Sequence, residues 1–269
     1  MFFRKKDAAE IELMKRQIGR LETLLEEQNR ILADLPGKPA VEKAVESFLR
    51  ASFSEFYLAF EDRFRGTREI IKERLKVYLP YLQRLKTLHS DPTLLDAGCG
   101  RGEWLELVAE AGYSARGVDS NFAAISRCRQ LNLEVVEADV VTYLCSLETA
   151  SLSCITGFHI VEHLPPDILV SFMHDAYRLL APGGLLILET PDPENLTVSS
   201  HTFYYDPTHR NPLPVATLVF TAEYFGFTSI EILRQHKLAD DEPTGNQQMD
   251  DIVRRFNMTQ DYSVIAWKL

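Results

Sequence analysis

"LLDAGCGRGEW", residues 94–104, is the stretch whose reading decides the fold. Apolar residues and Asp96 run into Gly98, Gly100 and Gly102, which reads as a buried strand ending in a tight turn that opens a helix. Glycines there let the backbone approach a ligand closely and leave helix N-terminal amides free. Taken alone, such a turn fits dinucleotide binding equally well. Three neighbours narrow it. Asp96 precedes the first glycine, where dinucleotide folds usually keep the strand apolar. "GVDSN" (117–121) ends the next strand in Asp119, 23 residues after Asp96, placed to accept ribose hydroxyls. "VEADVV" (136–141) ends the third in Asp139, 20 residues further, where a carboxylate can meet an adenine amino group.

Working outward, short apolar runs alternate with amphipathic segments. Strands are expected at 93–96, 115–119, 133–138, 152–158 and 185–190, and helices near 102–111, 121–131, 140–148 and 166–180. This alternation predicts an open parallel sheet with helices on both faces. Two more strands, 228–237 and 262–268, follow a helix near 215–225. Upstream, residues 39–92 read as aromatic-rich helices broken at Gly66-Thr67, with Thr67 as an N-cap. Residues 8–35 read as a helix with a heptad seam of Ile11, Met14, Ile18, Leu21, Leu25, Gln28, Leu32 and Leu35, stopped by Pro36-Gly37. The expected domains are a coiled-coil helix (1–38), a helical cap (39–92) and an α/β domain (93–269). The coil implies a homodimer.

A net charge of −10 and a pI near 5.2 exclude a general nucleic-acid binder. Arg4-Lys5-Lys6 behind Phe2-Phe3 allows peripheral membrane contact at most, and no apolar run is long enough to span a bilayer. Four cysteines without a C-x-x-C pair suggest neither disulfides nor a zinc knuckle, and a cytoplasmic protein is expected.

In combination, Asp96, the glycine turn, Asp119, Asp139 and "LLAPGGLLILETP" (179–191) resemble the class I S-adenosylmethionine-dependent methyltransferases over residues 93–269. The resemblance implies a Rossmann-like seven-stranded sheet whose last two strands form an antiparallel hairpin, with S-adenosyl-L-methionine as cofactor. It places Gly98, Cys99 and Gly100 against the methionine part, Asp119 at the ribose, Asp139 and Val140 at the adenine and Phe158 beside the sulfonium, with Ser120 and His159 as further cofactor contacts.

"HIVEH" (159–163) has the H-x-x-E-H spacing of a zinc peptidase. Such a site needs both histidines on one helical face. Here the stretch leaves a strand and meets Pro165-Pro166, so it reads instead as the loop after the fourth strand, and no metal is expected. Similar methyltransferases carry an acidic-His pair there, matching Glu162-His163.

The stretch 190–214, "TPDPENLTVSSHTFYYDPTHRNPLP", has no helical or strand period and reads as an ordered lid over the acceptor. Together with "FEDRFRGTREIIKERL" (60–75) it resembles bacterial methyltransferases of glycan and O-antigen assembly, in which an N-terminal helical segment folds over the cofactor. That resemblance makes Tyr57 and Arg74 closers of the methionine end. Some of those relatives methylate a sugar or its phosphate. His209 and His163 are the expected bases for a sugar hydroxyl, with His201, Tyr204, Tyr205, Arg210 and Arg65 as acceptor contacts. An anionic acceptor would instead be gripped by Arg65, Arg68 or Arg210. A quinone-type small acceptor and an inactive scaffold are the alternatives.

Overall fold

The computed structural model describes residues 38–235 and 244–269, together with scattered positions between 12 and 30. The described positions in 12–30 are helical, and Leu25 is exposed. Gln28 is exposed too, and the other seam positions, Ile11, Met14, Ile18, Leu21, Leu32 and Leu35, lie outside the described residues. Residues up to Glu55 form one compact unit and Phe56–Leu269 a second. Helix α1 is Lys38–Phe64.

In the second unit, α2 (Arg68–Leu75) starts at Thr67, whose hydroxyl accepts from the Ile70 amide, as its sequence implied. A 3₁₀ turn (Lys76–Tyr78) leads to α3 (Leu79–Leu88). The α/β order then runs β1 (Leu94–Ala97), α4 (Glu103–Glu110), β2 (Ala115–Asp119), α5 (Phe122–Gln130), β3 (Val135–Glu137) and α6 (Val140–Ser146). It continues through β4 (Leu152–Phe158), α7 (Pro166–Leu179), β5 (Leu180–Pro191), α8 (Leu196–Ser200), α9 (Val215–Phe225), β6 (Thr228–Gln235), α10 (Gln247–Asn257) and β7 (Asp261–Lys268).

The seven strands order as β3-β2-β1-β4-β5-β7-β6, with β7 antiparallel to both neighbours and the other pairs parallel. β1 and β4 are buried along their whole length, as central strands covered on both faces must be. β6 and β7 are antiparallel as expected, but α10 lies in their connection, so they are not a tight hairpin. Apolar clusters fill both faces of the sheet, one around Phe172, Leu186 and Val264 and one around Leu82, Trp104 and Ile265. The chain reverses its winding between β1 and β4, which leaves a crevice at their carboxyl ends.

Candidate active site

Gly98, Gly100 and Gly102 all take positive φ (71°, 46° and 79°), which glycine adopts without a Cβ penalty. Gly98 has a second reason to be glycine, since a Cβ there would lie 2.8 Å from Ile160 Cδ1. The turn spends its amides internally. Gly98 and Cys99 N–H donate to the Val118 carbonyl, Gly102 N–H to that of Cys99, and Gly100 N–H to Asp119 Oδ2 at 2.9 Å. The helix that follows opens with Glu103 and Glu106 in its first turn. A pyrophosphate would find four occupied amides at the turn, which disfavours a dinucleotide.

A cavity of about 330 Å³ opens beside this turn. One wall is aromatic: Tyr78, Trp104 and Phe158 pack with centroids 5.2–6.3 Å apart. The rest is rich in carboxylates, including Asp96, Glu189 and Asp261. Burial pushes the Asp96 carboxyl up to about 7, against the Thr156 hydroxyl that donates to it at 2.7 Å. Asp261, at the start of β7, is raised by burial to about 6, against the pull of His159. Glu189 accepts from the Tyr78 hydroxyl, which also meets Ser263.

His159 follows β4 with φ +57°. Its Nδ1 is 3.2 Å from Glu162 Oε1, and its Nε2 faces Glu189 at 3.5 Å and Asp261 at 3.7 Å. Burial alone would lower its pKa, but Asp261 and the two glutamates outweigh that and raise it to about 10. The imidazolium in turn holds the buried Glu162 carboxyl down at about 2.

The stretch 190–214 is ordered and contains two short helical pieces, α8 and a 3₁₀ turn at Thr202–Tyr205. Asn195 caps α8 and donates through Nδ2 to the Met258 carbonyl, pinning the lid to the segment before β7. Asp206 accepts from the Tyr57 hydroxyl (2.7 Å) and from the hydroxyl of Thr208 (2.6 Å). Because the one Thr208 proton goes to Asp206, the 2.9 Å contact between Thr208 Oγ1 and His163 Nδ1 is donated by the imidazole. His209 Nδ1 donates to the Phe203 carbonyl at 2.7 Å. Each ring is thus anchored through Nδ1. Burial lowers the pKa of His163, which keeps it neutral. The two rings lie edge to face, 4.7 Å apart, and both line the cavity.

The comparisons agree with this geometry. A family profile described as "Methyltransferase domain" matches residues 67–232, more than half of the chain. The chain belongs to the S-adenosylmethionine-dependent methyltransferases. The crystal structure of a SAM-dependent methyltransferase from Archaeoglobus fulgidus superposes with a TM-score of 0.69 at 36% identity, covering 79% of this chain and 100% of that one. A probable S-adenosylmethionine-dependent methyltransferase of Mycolicibacterium smegmatis is 27% identical over 147 residues, 54% of this chain and 55% of the relative. A ubiquinone biosynthesis O-methyltransferase of Alkalilimnicola ehrlichii is 32% identical over 102 residues, 36% of this chain and 40% of the relative. The chain thus spans about half the length, or less, of these curated relatives.

The cofactor of this family carries a sulfonium and an ammonium, and the cavity suits such a ligand. Among the described residues no cation is bonded to the buried Asp96 carboxyl, and Asp261 reaches the same space. These carboxyls offer counter-charge to the sulfonium and ammonium of that cofactor.

Of the residues expected at the site, Tyr57, Arg65, Arg74, Asp96, Gly98, Cys99, Gly100, Phe158, His159, His163, Tyr205 and His209 line the cavity. Asp119 lies behind the glycine turn, its oxygens taking the Gly100 and Asn121 amides, with Ser120 between them in sequence. Asp139 spends Oδ1 on capping α6, and Val140 is packed in the core, so neither side chain lines the cavity. His201 is exposed and bonds Tyr205, Tyr204 is exposed against Phe203, and Arg210 is exposed, so none of these three lines it either. The lid turn that swings His209 inward carries its neighbour outward. Sequence reasoning missed Glu189, Asp261, Tyr78 and Trp104. Glu189 was visible as the charged residue at the end of an otherwise apolar strand. The others carried no local signal.

Proposed function

We propose that the chain methylates a hydroxyl oxygen of a sugar or glycan-linked acceptor of the kind used in polysaccharide assembly. The observation that carries this is the pair of imidazoles, His163 and His209, set edge to face on the cavity wall, each turned by an Nδ1 contact to a protein oxygen, with burial lowering the pKa of His163. A hydroxyl acceptor must lose its proton, and imidazole takes one near neutral pH. Asp96, Gly98, Cys99, Gly100, Phe158, Tyr57 and Arg74 would hold the cofactor from the cavity wall, and Asp119 would meet its ribose. When bound, the cofactor supplies an electrophilic methyl carbon. The protein's part is alignment and exclusion of water, for which the Tyr78–Trp104–Phe158 wall and the Tyr57–Asp206 clasp are suited.

An anionic acceptor is less well served. Arg65 is paired with Glu61 at 3.1 Å, Arg68 with Glu106 at 2.6 Å, and Arg210 lies off the cavity. The similarity to a ubiquinone biosynthesis O-methyltransferase supports a second reading, a small phenolic acceptor, which also needs a base. The proposed organisation is a coil (1–38) that pairs two copies, a helical cap (39–92) and a methyltransferase domain (93–269) working in the cytoplasm. No described helix is long and apolar enough to cross a membrane.

The test is His209→Ala, assayed with labelled S-adenosylmethionine against glycan and small phenolic acceptors. Transfer should fall about 10²–10⁴-fold with cofactor affinity unchanged. Full turnover on the true acceptor would remove His209 from the chemistry.

A further inference from the structure

The H-x-x-E-H pairing of His159 with His163 does not form a ligand set, because His159, on a left-handed backbone, is spent on ion pairs with Glu162, Glu189 and Asp261. The lid produces a different combination. Glu162, His163 and His209 each bring a ligand atom into a group whose members lie within 4.8 Å of one another. His209 comes from 46 residues beyond His163, so no local motif announces the trio. From this convergence we propose that Glu162, His163 and His209 form a site for one divalent transition-metal ion at the acceptor end of the cavity.

Two observations beyond the clustering point to a ligand. Glu162 is fully buried, yet its Oε1 has no aligned hydrogen-bond partner. The other oxygen, Oε2, accepts from Thr190 at 2.9 Å, which fixes the carboxylate plane. The His159 Nδ1 contact at 3.2 Å is out of alignment, and His209 Nε2 stands 3.8 Å away. Second, His209 donates Nδ1–H to the Phe203 carbonyl, which turns Nε2 toward Glu162. Nε2 also faces Asp206 Oδ2 at 3.9 Å, so a cation placed there would meet a nitrogen and carboxylate oxygens together. Metal-bound histidines characteristically donate their other ring N–H to a carbonyl or similar acceptor, and His163 does the equivalent toward Thr208.

Two imidazoles and one carboxylate suit zinc, iron(II), cobalt(II) or manganese(II) rather than magnesium or calcium. Bonds of about 2.1 Å hold tetrahedral ligand atoms roughly 3.4 Å apart, so the trio must contract by about 1 Å. Three protein ligands leave a position open, and His163 and His209 both line the cavity. There the ion would take the acceptor's hydroxyl oxygen and lower its pKa, the proton leaving to solvent. In this role the inference rests on the methyltransferase reading. Without the ion the imidazoles take the proton, and with it they hold the ion.

Metal binding is testable without knowing the acceptor. Full-length protein stripped with chelator is titrated with cobalt(II), read by its visible ligand-field bands, and then with zinc by calorimetry. S-adenosylmethionine affinity is measured on the same samples. One ion per chain is expected, with His209→Ala and Glu162→Gln each weakening it at least 10-fold, and with exposed His174→Ala unchanged. Cofactor affinity and melting temperature report whether each variant is folded, and His209→Gln substitutes if the alanine variant is not. Wild type that binds cobalt and zinc no better than the two site variants overturns the metal site. If cofactor binding persists in that case, the methyltransferase reading stands alone. Failure of cofactor binding with metal binding intact would do the reverse.

Discussion

Replacing Asp96 by asparagine should stabilise the ligand-free protein strongly at pH 8 and much less at pH 5. In the folded chain this carboxyl is raised by burial from 3.8 to about 7. A carboxyl with a raised folded pKa adds stability that is complete below its unfolded pKa and is lost as the pH rises through the folded one. Each pH unit between the two values costs about 1.4 kcal/mol, so the full loss approaches about 4 kcal/mol above pH 7. At pH 5 somewhat less than 2 kcal/mol of it has already been incurred, because the unfolded chain is ionised there. The advantage of Asp96→Asn should therefore grow by about 3 kcal/mol from pH 5 to pH 8. For a unit of this size that is roughly 6–12 °C in melting temperature. Melting curves of both proteins across that range, without ligand, measure it. Saturating S-adenosylmethionine should then favour wild type, since the cofactor's cationic groups would meet the carboxylate. An advantage that stays flat or shrinks with rising pH would refute the reasoning, because Asp96 would then be ionised at little cost.

Two other changes test the turn and the lid. Gly98→Ala places a methyl 2.8 Å from Ile160 Cδ1 at φ +71°. It should cost about 2–4 kcal/mol in stability, read by denaturant melting, and abolish detectable cofactor binding by calorimetry. Tyr57→Phe removes the 2.7 Å hydrogen bond to Asp206. About 1–2 kcal/mol of lid closure is lost, and KM for the acceptor should rise roughly 5–30-fold with the fold unchanged.

The α/β half of the molecule was legible because its signals are local. The apolar run ending at Asp96, the glycines behind it and the carboxylate at Asp119 each state their own geometry, and the strands fall where the apolar runs do. The lid was legible as a lid but not in its details. Which of His201, Tyr204, Tyr205, His209 and Arg210 face inward depends on a short 3₁₀ turn and on Asp206 meeting Tyr57, 149 residues away. Asp139 shows another limit. A carboxylate after a strand and before a helix serves equally as a ligand contact or an N-cap, and here its Oδ1 caps α6. Asp261 and Tyr78 reach the cavity only because β7 inserts beside β5 and the 3₁₀ turn after α2 leads into α3, neither of which has a short-range signature. The histidine pattern at 159–163 misled in an instructive way, since its two histidines serve different ends of the site.

The most direct test of the central claim is calorimetric binding of S-adenosylmethionine and of NAD to wild type and to Asp119→Ala. The account predicts saturable 1:1 binding of S-adenosylmethionine, no measurable binding of NAD, and a large loss of affinity in Asp119→Ala, which removes the expected ribose contact and the acceptor of the Gly100 amide. Binding of NAD as tight as that of S-adenosylmethionine would contradict it.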